Sequence, residues 1–121
     1  MNRDFDRSTP MFLQISDVIR RDVLNGVLPL GAQVPPVRQI AVAFSANPNT
    51  VQRALSLLEE EGLLYTRGTL GRYVTDDGAV IEAARRKARE AAMERCLREL
   101  NSLGITDTDI INYIKVKGEG K

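Results

Sequence analysis

Within residues 48–61, Asn49, Gln52, Arg53 and Ser56 recur at three- and four-residue spacings, so a helix sets them side by side on one face. An Asn or Gln carboxamide can pair with an adenine edge through one donor and one acceptor, and an Arg fork donates twice to guanine. Thr50, beside the helix start, and the free amides of the first turn suit a phosphate oxygen. The opposite face carries Val51, Ala54, Leu55 and Leu58, an apolar stripe that must be covered. An ordinary solvated helix face can have the same polar composition, so these residues by themselves leave both readings open. Catalytic alternatives are thinner. The 121-residue chain has no His and a single cysteine, Cys96, which excludes imidazole triads, His-ligated metals and an internal disulfide. Cys96 falls within a helical pattern and reads as a packed thiol rather than a nucleophile. The acids Asp17, Asp22, Glu59, Glu60 and Glu61 lie on helix faces with no partner base and no glycine-rich phosphate loop. No enzymatic activity, cofactor or metal is expected.

The elements that position the polar face are legible on both sides of it. Upstream, residues 10–25 read as an amphipathic helix, with Thr9 as its cap, Pro10 at its first position and Gly26 as its stop. Phe12, Ile15, Ile19 and Val23 form its apolar stripe. Residues 27–36 make a turn-rich connection. Residues 36–44 form a short helix that buries Val37, Ile40, Ala41 and Phe44. After a break at Ser45, Ala46 and Asn47, the pair Asn47 and Pro48 opens the next helix with cap and first-turn proline in the preferred order, and Gly62 ends it. Two short helices so separated form a helix-turn-helix. Downstream, residues 63–66 and 71–74 read as paired strands around Arg67, Gly68, Thr69 and Leu70, a hairpin in the position of a wing. This placement favours nucleic-acid contact by the polar face.

Composition supports a folded chain with a nucleic-acid partner only in its distribution. It is 43% hydrophobic, enough for a core, and net charge is +1. No stretch approaches the roughly 18 apolar residues of a membrane helix, and the N-terminus mixes both charge signs without an apolar signal core, so a cytoplasmic location is expected. Residues 1–77 hold eight Arg, no Lys and nine acids. Arg is the cation whose rigid fork suits phosphate and base edges.

From residue 78 the character changes. Residues 79–103 are helical, with Ile81, Ala84, Ala88, Ala91, Leu97, Leu100 and Leu103 along one side. Gly104 ends that helix. Thr106 and Asp109 make a capping box for a last helix carrying Ile110, Ile111 and Ile114, with residues 116–121 frayed. A segment of roughly 40 residues in two helices cannot enclose an ordinary ligand pocket of about 300 Å³. Its apolar side must be buried by something, and self-association through these ten residues is the economical answer. The expected division is a DNA-binding domain over 1–77 and a dimerisation tail over 78–121.

In order and spacing, residues 33–41 (QVPPVRQIA), 47–54 (NPNTVQRA), 58–67 (LEEEGLLYTR) and 71–74 (GRYV) resemble the winged-helix domain of GntR-family transcription regulators. The resemblance covers residues 10–75. It implies a mainly α fold with a small β-hairpin wing, in which Arg38, Asn49, Thr50, Gln52, Arg53 and the 67–71 turn (Arg67, Gly68, Thr69 and Gly71) contact operator DNA. Two departures stand out. Pro36 occupies a position where the family commonly has Ser, which removes the usual side-chain cap. Thr69 occupies the first glycine position of the usual Gly-x-Gly wing, with Gly68 one residue earlier, which implies a different turn. The short tail looks like that of the YtrA-like subfamily, whose two-helix tail mediates dimerisation. The resemblance thus implies a homodimeric regulator, a repressor, on a palindromic double-stranded operator. Any small-molecule effector would sit at the dimer interface or between tail and winged helix. The rival reading is a winged-helix adaptor that binds protein instead of DNA, favoured slightly by the near-zero charge of residues 1–77.

Overall fold

Prolines and positive-φ residues set the limits of the helices. The computed structural model describes residues 8–119. Helix α1 (Met11–Leu24) buries Ile15, Ile19, Val23 and Leu24, with Phe12 packed against the same cluster. Its cap position falls on Pro10, one residue later than Thr9, and Pro10 has no side-chain acceptor to offer. The Pro10 carbonyl takes the amides of Leu13 and Gln14 at 3.1 and 3.3 Å instead. Gly26, at φ +79°, turns the chain away from α1 as expected. Ser16 is the buried polar residue of this helix, and its Oγ is satisfied by the Leu13 carbonyl at 2.9 Å.

Helix α2 (Val37–Phe44) follows Pro36 and, as the absent Ser implies, has no side-chain cap. Ser45 adopts a left-handed conformation at φ +51° and breaks the helix. Asn47 then caps α3 (Pro48–Glu60), its Oδ1 accepting from the Asn49 amide at 2.8 Å. Val51, Ala54, Leu55 and Leu58 are fully buried beneath α3, and α1 and α2 both pack on it. Complete burial of each of the Val and Leu side chains contributes about 1.5–3 kcal/mol, so this stripe fixes which face of α3 remains outside.

Strands β1 (Leu64–Thr66) and β2 (Arg72–Val74) pair antiparallel, with Leu64 opposite Val74 and Thr66 opposite Arg72. The 27–36 connection, expected only to turn, also borders this hairpin. The amides of Gly31 and Val34 donate to the carbonyls of Val74 and Arg72 at 3.1 and 2.9 Å, and the Val74 amide donates to Ala32 at 2.9 Å. Both edges of β2 are thereby occupied, and Val34 and Val74 enter the core together.

Two compact units divide between Ala84 and Arg85. The division lies later than the Asp76, Asp77, Gly78 punctuation suggests, although Asp77 does cap α4 (Gly78–Ser102) through its Oδ1 and the Ala79 amide at 3.0 Å. Ile81 explains the difference. It is buried in the core of the first unit, with Val80 and Ala84 packed against that core. Ile81 and the half-buried Ala84, both expected along the apolar side of the tail, thus have partners within the first unit. In the second unit, Gly104 at φ +78° separates α4 from α5 (Asp107–Glu119). The capping box forms in both directions: Thr106 N donates to Asp109 Oδ2 at 3.0 Å and Asp109 N donates to Thr106 Oγ1 at 3.1 Å. Residues 116–119, expected to fray, continue α5. Cys96 is exposed rather than packed.

Candidate nucleic-acid interface

Burial of the Val51, Ala54, Leu55 and Leu58 stripe turns Asn49, Gln52, Arg53 and Ser56 to solvent, with Thr50 half-buried. Arg38 is exposed in the first turn of α2, where Ile40 and Ala41 supply the buried contacts. Gln52, Thr69 and Gly71 share the lining of one open groove, of about 480 Å³, with Gln33, Pro35, Pro36, Thr66 and Arg72. The 33–37 segment and the hairpin both line the groove, and Arg38, Asn49, Thr50, Arg53, Arg67 and Gly68 lie outside its lining.

The wing tip is one turn of 3₁₀ helix over Gly68–Leu70, closed by Leu70 N on the Arg67 carbonyl at 2.9 Å and Arg67 N on the Gly71 carbonyl at 2.8 Å. Its positive φ values fall at Gly68 (+51°) and Gly71 (+105°). This explains why Thr69 is tolerated in place of the usual glycine: the left-handed position has moved one residue earlier. Gln33, unnoticed as a functional residue in the sequence, holds this turn by donating from Nε2 to the Leu70 carbonyl at 2.8 Å.

Arg72 is the second residue that sequence reasoning missed. Its Nε donates to Glu59 Oε1 at 3.1 Å and its Nη1 donates to Gln52 Oε1 at 2.8 Å, while Thr66 Oγ1 also donates to Glu59 Oε1. A signal for it existed. Arg72 is two residues from core Val74 on a strand, so both point to the same side. Gln52 and Glu59 are seven apart on α3, hence on one helix face. The strand and the helix face each other across this cluster.

Arg53 stacks on the ring of Phe12, its guanidinium carbon 3.8 Å from the centroid, and the Arg67 guanidinium lies 4.9 Å from the Tyr73 centroid. Glu61 is gripped by Arg20 of α1, whose Nε and Nη2 donate to its two oxygens at 2.8 and 2.7 Å. That bidentate bond raises the Arg20 guanidinium further above its already high ordinary pKa, despite partial burial. Glu59 and Glu61 are thus neutralised by Arg72 and Arg20. Among the described residues, Arg38, Arg53 and Arg67 pair with no carboxylate. The near-zero charge of residues 1–77 conceals this asymmetry, which leaves Arg without a carboxylate partner among the described residues beside the polar face of α3 and on the wing.

A helix-turn-helix whose second helix exposes Asn, Gln and Arg side chains, followed by a two-stranded hairpin, defines a winged helix-turn-helix DNA-binding protein. Residues 12–74 match the family described as "Bacterial regulatory proteins, gntR family", and the chain belongs to this family of transcriptional regulators. It is 30% identical over 120 residues to the uncharacterized HTH-type transcriptional regulator YhcF of Bacillus subtilis, covering 99% of each chain. It is 37% identical over 70 residues to the HTH-type transcriptional repressor YtrA of the same organism, 58% of this chain and 54% of that one. A GntR family transcriptional regulator from Listeria monocytogenes, 33% identical, superposes with a TM-score of 0.85 over 92% of this chain and 97% of the other. The protein is accordingly a transcriptional regulator with a DNA-binding helix-turn-helix, in a family of DNA-binding factors rather than enzymes. Among the described residues, no helix is long and apolar enough to cross a membrane.

Proposed function

We propose that the protein is a repressor that binds a palindromic operator as a homodimer, each protomer placing α3 in a major groove and its wing against the flanking backbone. The observation that carries this reading is the exposed α3 face, where Asn49, Gln52 and Arg53 stand clear of a fully buried stripe beside Arg side chains that have no carboxylate partner among the described residues. Affinity then comes largely from phosphate contacts by Arg38, Thr50, Arg67 and the amides around Gly68, Thr69 and Gly71, and specificity from Asn49, Gln52 and Arg53. The repressor role is supported by the likeness to YtrA.

The second unit supports the homodimer. Leu97, Leu103, Ile111 and Ile114 are 43–72% exposed, Ala88 is exposed, and Ala91, Leu100 and Ile110 are half-buried. Tyr113 and Val116, absent from the expected seam, are exposed at 65% and 66% beside them. Such a surface on a small chain is what a symmetric partner covers. Two-fold symmetry of the tail would impose two-fold symmetry on the operator.

Duplex selection from a random pool, followed by sedimentation of the protein with and without the selected duplex, tests the proposal. A palindromic consensus bound by two protomers supports it. Binding that is weak, equal for all sequences and absent at moderate salt would instead support the adaptor reading.

A further inference from the structure

Gln52 is exposed on the α3 face, and Arg72 of β2 donates to its carboxamide from Nη1 at 2.8 Å. A guanidinium has donors and no acceptor. The carboxamide atom that faces it is therefore the oxygen, and the two hydrogens of Nε2 are directed elsewhere. Among the described residues, none accepts from them. Arg72 is itself held at three places: its Nε on Glu59 at 3.1 Å, its carbonyl under the Val34 amide at 2.9 Å, and its backbone opposite Thr66 in the hairpin. Its side chain is only 18% exposed. A fixed donor thus takes one lone pair of the Gln52 oxygen and holds that oxygen toward Arg72 before any duplex arrives.

We infer that Gln52 determines specificity as a donor alone, and that Arg72 is the positioning residue that makes it so. The inference rests on the proposed entry of α3 into the major groove. An unrestrained Gln pairs with adenine by donating to N7 and accepting from the N6 amino group, which requires its oxygen. With that oxygen turned to Arg72, the Nε2 hydrogens match two adjacent acceptors, the N7 and O6 of guanine. Guanine is the base at the Gln52 position, against the adenine that the residue type by itself suggests.

Selection of randomised duplexes on the full-length wild type, Gln52→Ala, Gln52→Glu and Arg72→Met proteins tests this. The position read by Gln52 is the one whose preference collapses in Gln52→Ala. There the wild type is expected to favour guanine over adenine by roughly five- to hundredfold. Gln52→Glu keeps an oxygen on Arg72 but deletes both N–H donors, so it loses the preference for guanine. Arg72→Met frees the carboxamide and shifts preference toward adenine. Adenine in the wild type, retained guanine preference in Gln52→Glu, or unchanged preference in a folded Arg72→Met each overturns the inference. The Gln52→Glu arm does so even if Arg72→Met fails to fold. If Gln52→Ala changes no position while the wild type still selects a consensus, DNA binding stands and this assignment falls. If the wild type enriches no sequence, the DNA reading falls and takes this one with it.

Discussion

The Arg53 guanidinium rests on the Phe12 ring at 3.8 Å, joining the polar face of α3 to the first turns of α1. Stacking occupies the flat face of the guanidinium and leaves its N–H edge for a base or a phosphate. Arg53 is thereby held in place before it meets DNA, which lowers the ordering cost of the contact.

Arg53→Ala is expected to weaken specific duplex binding by about 1–3 kcal/mol and to relax preference at one base pair. Phe12→Leu keeps an apolar side chain but removes the aromatic face, and should lower affinity less, by about 0.5–1 kcal/mol. Fluorescence anisotropy with a panel of single-base operator variants checks both. Equal binding of every variant by the wild type and Arg53→Ala would make Arg53 a solvated bystander.

Arg38→Ala should lose affinity for DNA while keeping the fold. Arg38 is exposed, and Ile40 and Ala41 already provide the buried contacts of α2. A chemical-denaturation midpoint close to the wild type, with a salt dependence of binding reduced by about one counterion, is the expected pair of results. A large fall in the midpoint with unchanged affinity per folded molecule would assign Arg38 a structural role.

Where the chain is cut should matter. Deleting residues 78–121 removes Ile81 from the core of the first unit, whereas deleting 85–121 leaves it in place. Loss of a buried Ile costs about 2–5 kcal/mol, so the longer fragment should melt well above the shorter one. Both should sediment as monomers at micromolar concentration, and full-length Ala88→Glu should be monomeric too, since it buries an unpaired carboxylate in the proposed seam. Operator affinity should fall steeply with the loss of the linked second half-site. A dimer that survived in any of the three would place the interface in the winged helix.

The start of α5 should be sensitive to acid. Asp109 accepts from the Thr106 amide, and this bond holds its carboxyl below the ordinary value of 3.8. A depressed folded-state pKa means that the stabilisation is present above the unfolded value and is lost as pH falls through the folded one. Protection of the Thr106 amide, its exchange rate relative to that of an unstructured peptide at the same pH, should therefore be present at neutral pH and decline below about pH 4. Asp109→Asn should remove that pH dependence, and a variant that retained it would point to another group.

Local chemistry made most of the scaffold legible in the sequence. The proline and Asn47 at the start of α3, the stripe of Val51, Ala54, Leu55 and Leu58, the reciprocal Thr106 and Asp109 cap, and the glycine stops all act within one or two helical turns. Short-range signals of that kind survive in a linear reading because their partners are near in sequence. Once that stripe is buried, the outward direction of Asn49, Gln52 and Arg53 follows from helical geometry. Tertiary structure decided what joins distant segments: Gln33 with Leu70, Arg72 with Gln52 and Glu59, Arg20 with Glu61, Arg53 with Phe12, and Ile81 with the winged-helix core. The polar partners among these are 13–41 residues apart, and no local periodicity encodes them. Ile81 continued the tail's helical pattern perfectly well, and only the packing of the first turn of α4 assigned it to a core rather than a seam. The sequence determined which side chains Gln52 and Arg72 are; the fold decided that one holds the other's oxygen, and hence which hydrogen bonds remain for DNA.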